Sequence, residues 1–149
     1  MFLTAEDLPT TMYGYQMEQI TDGNDDIIDM ALAAAEEEIR SYLTGNNQKE
    51  WLDGRLQYDV EAILSQEGSE RNALILKHGL TVAKWWIVEL CNADIIYEQV
   101  KERYDRATKW LKMLSTGEVS LSTLPTIDLE NTTREPFAYG SRKKFNHEY

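Results

Sequence analysis

The sequence predicts an all-α protein: a small bundle of about four helices over residues 1–118, followed by a long extended C-terminal arm over 119–149. Three observations predict it. Apolar residues recur at spacings of three and four along three long stretches, capping residues and glycines bound those stretches, and no alternating strand pattern competes with them. With 149 residues, 42% of them hydrophobic, the chain is long enough for a self-sufficient core that buries roughly two thirds of the unfolded surface.

Thr4-Ala5-Glu6-Asp7 opens like a helix cap, with the Thr4 hydroxyl available to the Asp7 N–H and two acids at the positive helix end. Pro9 removes a ladder bond and restricts Leu8, so one short turn is expected, then a second short helix over roughly Thr11 to Ile20. The polar run Thr21 to Asp26 reads as a turn whose terminal acid can cap the next helix. That helix is marked by Ile28, Leu32, Ala35, Ile39 and Tyr42 on one face and ends near Leu43 to Gly45, with Glu36, Glu37 and Glu38 mainly on the solvated side.

From Asn46 to Ser69 the pattern is mixed. Trp51, Leu52, Leu56, Tyr58, Val60, Ile63 and Leu64 are too apolar for a free linker, so this connection is expected to pack on the body, with a helical turn at Val60 to Ser65. Ser69 then caps a helix to about Asn92, with Leu74, Leu76, Leu80, Ala83, Ile87 and Leu90 on its main stripe. Ile75, Val82 and Trp86 lie beside that stripe and Trp85 and Val88 further round, so the helix is central to a bundle or lies between subunits. Trp85 and Trp86 differ by about 100° of rotation, so two surfaces must receive this helix, and both residues are candidates for a subunit interface. The last helix runs from about Asp94 to Ser115 on Tyr97, Val100, Tyr104, Ala107, Leu111 and Leu114, with Glu102 to Arg106 and Asp105 to Lys109 as i, i+4 pairs, and Gly117 closes it.

Composition narrows the chemistry. The single cysteine cannot pair within the chain, and Cys91, His78 and His147 could not complete a zinc site without carboxylates. No apolar run approaches the roughly 18–20 residues that span a bilayer, and Met1 to Asp7 lacks the form of a signal peptide, so a reducing cytoplasm is expected. Asp22-x-Asn24-x-Asp26 matches half a calcium loop, but Ile27 stands where the turn needs Gly and Ala33 where the bidentate Glu belongs; an acidic capping turn is the reading. His78 sits mid-helix without a partner ligand or nucleophile and reads as a core or interface histidine. Cys91, near a helix C-terminus that disfavours thiolate, reads as an inert small hydrophobe. Neither a phosphate-cradling glycine loop nor a nucleophile elbow is present in the sequence. The expectation is a protein that is not an enzyme and needs no cofactor or metal.

The net charge is −11, yet residues 134–149 carry +2 and leave −13 on the remainder. An acidic body repels phosphate, so nucleic-acid binding would have to rest on the tail. In that tail Phe137, Tyr139 and Phe145 flank Arg142, Lys143 and Lys144. A frayed terminus and a partner-docking segment both fit this pattern.

Several segments, taken in order, resemble the Mu-like phage head-tail connector family. They are Phe2-Leu3-Thr4-x-Glu6-Asp7-Leu8, the acidic turn before an alanine-rich helix ending Ser41-Tyr42-Leu43, Tyr58-Asp59-Val60-Glu61-Ala62-Ile63, and Glu70-Arg71-Asn72-Ala73. They continue with Glu102-Arg103-Tyr104-Asp105-Arg106-Ala107, Trp110-Leu111, and Tyr139-Gly140-Ser141-Arg142-Lys143-Lys144-Phe145-Asn146-His147. The resemblance spans nearly the whole chain. It implies an all-helical, non-enzymatic virion protein that assembles in the host cytoplasm as a homo-oligomeric ring below the portal, commonly of about twelve copies. It further implies contacts with the portal protein and with tail or stopper proteins, and a conduit through which DNA passes without specific binding. Some connectors of this group use a C-terminal arm to grip the portal, a role that only Phe137 to Tyr149 could match here, with the portal or a neighbouring subunit as the surface it docks on. The competing class is a small helical nucleic-acid-binding or regulatory protein acting through its basic tail, a reading that requires binding that weakens steeply with salt.

Overall fold

The computed structural model describes residues 1–11, 14–48, 55–91 and 97–127. A 3-10 helix over Ala5–Thr10 leads into α1 (Gly14–Thr21), α2 (Asp25–Asn47), α3 (Val60–Leu64), a 3-10 turn at Gly68–Glu70, α4 (Ala73–Cys91) and α5 (Tyr97–Thr116). Among the described residues there is no strand, only an isolated antiparallel bridge between Tyr58 and Thr126. The fold is therefore the all-α bundle that the periodicity predicts, and its body is the mutual packing of α2, α4 and α5.

Ring contacts set the helix directions. His78 stacks on Trp110 with centroids 4.6 Å apart, and one heptad later Trp85 packs on Tyr104 at 4.9 Å and Tyr97 at 5.4 Å, so α4 and α5 are antiparallel. Glu38 meets Tyr104, and further along both helices Arg55 joins Asn46 to the Ser115 carbonyl, so α2 and α5 run the same way. The predicted faces of α2 and α5 are the buried ones: Ile28, Leu32, Ala35 and Ile39 from the first, Val100, Ala107, Leu111 and Leu114 from the second, while Tyr42 and Tyr104 are half-buried.

Helix α4 is turned relative to its expected stripe. Leu74 and Leu90 are 37% and 42% exposed, whereas Ile75, Gly79, Val82 and Val88 join Leu80, Ala83 and Ile87 inside. Gly79 lies on this turned face. A Cβ there would sit 2.9 Å from a methyl of fully buried Leu3, so the missing side chain forms the socket into which the N-terminal segment packs. A hydrophobicity count treats this glycine as a gap in the pattern, although it lies at the centre of the contact.

The caps of α4 and α2 differ from the expected ones. Asn72, not Ser69, caps α4, its Oδ1 accepting from the N–H groups of Leu74 and Ile75 at 3.0 and 3.1 Å. Arg71 is held extended by its bonds to the N-terminal segment, and helix cannot begin before it. Asn24, not an acid, caps α2 by accepting from the Asp26 N–H at 3.0 Å. Thr4 and Asp7 form a capping box at the first 3-10 helix, and the Asp7 carboxylate accepts from the Thr4 N–H and hydroxyl at 3.0 and 2.8 Å. Asp105 pairs backward with Lys101 at 3.2 Å instead of forward with Lys109, while the expected Glu102–Arg106 pair forms at 3.0 Å.

Glu36 and Glu38 depart furthest from expectation. Both are half-buried, and only Glu37 of the three is exposed. Glu36 Oε2 accepts from the N–H groups of Phe2 and Leu3 at 3.1 and 3.2 Å, tethering the N-terminal segment to α2. Glu38 accepts from Trp86 Nε1 at 3.1 Å and from the Tyr104 hydroxyl at 3.0 Å, which ties all three long helices together.

The connection after α2 packs on the body as expected, with Tyr58, Ile63 and Leu64 buried and α3 at the anticipated helical turn; Trp51 and Leu52 lie outside the described residues. Gly117 adopts φ +85°, which lets the chain turn off the end of α5. The segment that follows, assigned to the arm by sequence, is held on the body as far as Ile127. Leu124 is buried, the Leu121 N–H donates to the Tyr58 hydroxyl at 3.0 Å, and the Ile127 N–H donates to the Gln57 carbonyl at 2.9 Å.

Candidate interaction groove

The residues singled out from sequence are not gathered into one place. Phe137, Tyr139, Arg142, Lys143, Lys144 and Phe145, the candidate arm contacts, lie outside the described residues. Trp85 and Trp86 do point to different surfaces, and both surfaces belong to this chain: Trp86 reaches Glu38 of α2, and Trp85 packs on Tyr97 and Tyr104 of α5. The broad apolar arc of α4 is thus received by two helices of its own bundle. His78 is an interface histidine in the same sense, packed on Trp110, with burial and then the neighbouring Lys77 charge pushing its pKa down. Burial pushes the Cys91 thiol up.

Glu38 is the polar centre of this packing. Burial, followed by the Glu38 charge, pushes the Tyr104 phenol well above its ordinary value. Replacing Glu38 by Ala is expected to cost about 1–3 kcal/mol, because the Trp86 N–H and Tyr104 hydroxyl lose their acceptor. Urea unfolding measures that loss, and ultraviolet titration should show the Tyr104 phenol ionising at lower pH than in the wild type.

A groove of about 700 Å³ opens along the outer side of the α4–α5 seam. Lys77 and Lys84, one heptad apart on α4, stand on one wall, with Arg103 and Arg106 of α5 on the other. Leu76, Leu80, Val100 and Ala107 form an apolar floor, and Thr10 and Thr11 also line the groove. Lys84 Nζ donates to the Thr11 carbonyl at 3.0 Å. Burial, then the nearby Arg103 charge, pushes the Lys84 pKa down. Among the described residues no carboxylate lines the groove, and Arg106 is paired with Glu102 at 3.0 Å.

Four cations around an apolar floor suit the holding of anionic groups. The groove has no signature in the sequence, because Lys77 and Lys84 belong to one helix and Arg103 and Arg106 to another, and only antiparallel docking sets them across one seam. No group of three or more His, Cys, Asp or Glu side chains among the described residues could hold a metal ion, and no described helix is long and apolar enough to cross a membrane. Comparison of the chain with protein-family models, with characterised proteins and with solved structures returns no match.

Proposed function

We propose that this chain is a head-tail connector subunit of a tailed phage, a non-enzymatic adaptor that forms a ring below the portal and presents the surface on which the tail docks. The observation that carries the reading is the ordered series of segments resembling that family, spread from Phe2 to the basic terminus. The described segments are also joints of the fold. Asp7 of the first is bound by Arg71 of the fourth, Tyr58 of the third receives the Leu121 N–H, and Tyr104 of the fifth meets Glu38. An all-helical bundle in which Glu38 ties three helices together fits a protein whose work is to present surfaces.

The test is to add the purified chain to DNA-filled heads that lack it and to image the portal vertex. Ring-shaped density at that vertex is expected; heads that bind the chain nowhere, or evenly over the shell, would refute the reading. The arm is open to a separate test. The 22 residues from 128 to 149 span at most roughly 70 Å when extended, enough to leave a bundle whose radius of gyration is about 15 Å. Deleting Phe137 to Tyr149 is expected to leave helicity and Tm nearly unchanged while abolishing stable attachment to the vertex. Attachment as tight as that of the full chain would remove the arm from the mechanism.

A further inference from the structure

We infer that the basic groove receives the outer face of α2 from a second copy of this chain, so that subunits join head to tail. The two surfaces match in charge and in polarity. Along α2, Asp26, Asp29, Met30, Ala33 and Glu37 follow one another at helical spacing, and all are exposed. Within its own subunit Glu37 lies 3.7 Å from Arg40, Arg106 is paired with Glu102 and Lys84 with the Thr11 carbonyl, so the row offers chiefly Asp26 and Asp29 to Lys77 and Arg103, and Met30, 59% exposed, to the apolar floor beneath them. A helix laid into a groove with an apolar anchor between charged rims is a common mode of peptide recognition.

The arrangement within the subunit gives the contact its direction. Since α2 packs against both α4 and α5, its outer face lies across the bundle from the outer α4–α5 seam. Groove and ridge are therefore different surfaces on opposite sides, and their pairing is heterologous, the kind that propagates from subunit to subunit and closes into a ring when the rotation allows. A chain of net charge −11 repels its copies except where opposite charges are brought together. The groove supplies such a place. The inference rests on the connector reading in that a ring requires two unlike mating faces.

Charge exchange tests it with the full chain. Lys77 and Arg103 are exposed on the groove wall, and Asp26 and Asp29 are exposed on the ridge, so Lys77→Glu/Arg103→Glu and Asp26→Lys/Asp29→Lys should fold with unchanged helicity. Sedimentation is expected to show salt-sensitive oligomers for the wild type and a dissociation constant raised at least about tenfold for either variant alone. Mixing the two variants should restore assembly, with native mass spectrometry showing both in alternation, because each reversed groove then meets a reversed ridge. Variants that assemble alone like the wild type would overturn the inference, as would a mixture that gains nothing. A wild-type chain that stays monomeric, or whose groove retains short duplex DNA in preference to another copy, would also overturn it. None of these results alters the imaging of the portal vertex, which decides the connector reading separately.

Discussion

Replacing Arg71 by Met is expected to lower the unfolding free energy by about 3–5 kcal/mol. The Arg71 guanidinium donates to both Asp7 carboxylate oxygens at 2.7 and 2.9 Å and also to the Phe2 carbonyl at 2.7 Å. The Arg71 and Asp7 side chains are only 10% and 16% exposed, so the substitution leaves a carboxylate and a carbonyl without their principal donor away from water. This ion pair pins the N-terminal segment, with its buried Phe2, Leu3 and Leu8, to the start of α4. Equilibrium urea denaturation measures the loss, and adding Asp7→Asn to Arg71→Met should recover part of it by removing the orphaned charge. A change under about 0.5 kcal/mol would show that the pair contributes little beyond an ordinary surface contact.

The same pair has an acid signature. Hydrogen bonds from Arg71, opposed by burial and aided by Thr4, hold the Asp7 carboxyl at about 2, below its ordinary 3.8. A pKa lowered in the folded state means that the stabilisation is complete above the unfolded value and is lost as pH falls from about 4 through 2. Roughly 2 kcal/mol is linked to that window. Asp7→Asn is expected to be less stable at neutral pH and to lose much of the wild-type decline between pH 4 and 2. An unchanged decline would assign the acid sensitivity to other carboxylates.

Replacing Tyr58 by Ala is expected to cost about 3–5 kcal/mol, as for other large buried aromatic side chains. Tyr58 is 1% exposed, and its hydroxyl accepts from a backbone N–H 63 residues away. Its own N–H donates to Asn47 Oδ1 at 2.8 Å, and its neighbours receive the returning chain through Asp59 N–H to the Pro125 carbonyl and Ile127 N–H to the Gln57 carbonyl, both at 2.9 Å. Removing the ring would open a cavity and release the segment 119–127 from the body. Tyr58→Phe isolates the hydroxyl, with an expected loss of about 1–3 kcal/mol. Hydrogen exchange should then show the Leu121 amide losing protection while α2 and α5 keep theirs. Unchanged protection at Leu121 would mean that packing around Leu124 alone holds the segment.

Much of this architecture was legible in local pattern. Ile28, Leu32, Ala35 and Ile39, and Val100, Ala107, Leu111 and Leu114, turned inward as their spacing required, because a helix with one apolar stripe has one face worth burying. The helical turn at Val60 and the stop at Gly117 were readable for the same local reason, in capping and backbone freedom. The separation of Trp85 from Trp86 was readable too, since about 100° per residue follows from helix geometry.

What the sequence by itself determined was therefore where the helices are and which faces of α2 and α5 are apolar. Only the tertiary structure decided the rotation of α4, the partners of Trp85 and Trp86, the burial of Glu36 and Glu38, and the assembly of Lys77, Lys84, Arg103 and Arg106 into one groove. The physical reason is common to all four. Burial of apolar surface has no direction of its own, so a helix apolar over a wide arc takes its orientation from all that packs on it, here α2, α5 and the N-terminal segment whose Leu3 meets Gly79. Carboxylates and cations likewise take their roles from donors and charges that lie far away in the chain and come together only when α2, α4 and α5 dock.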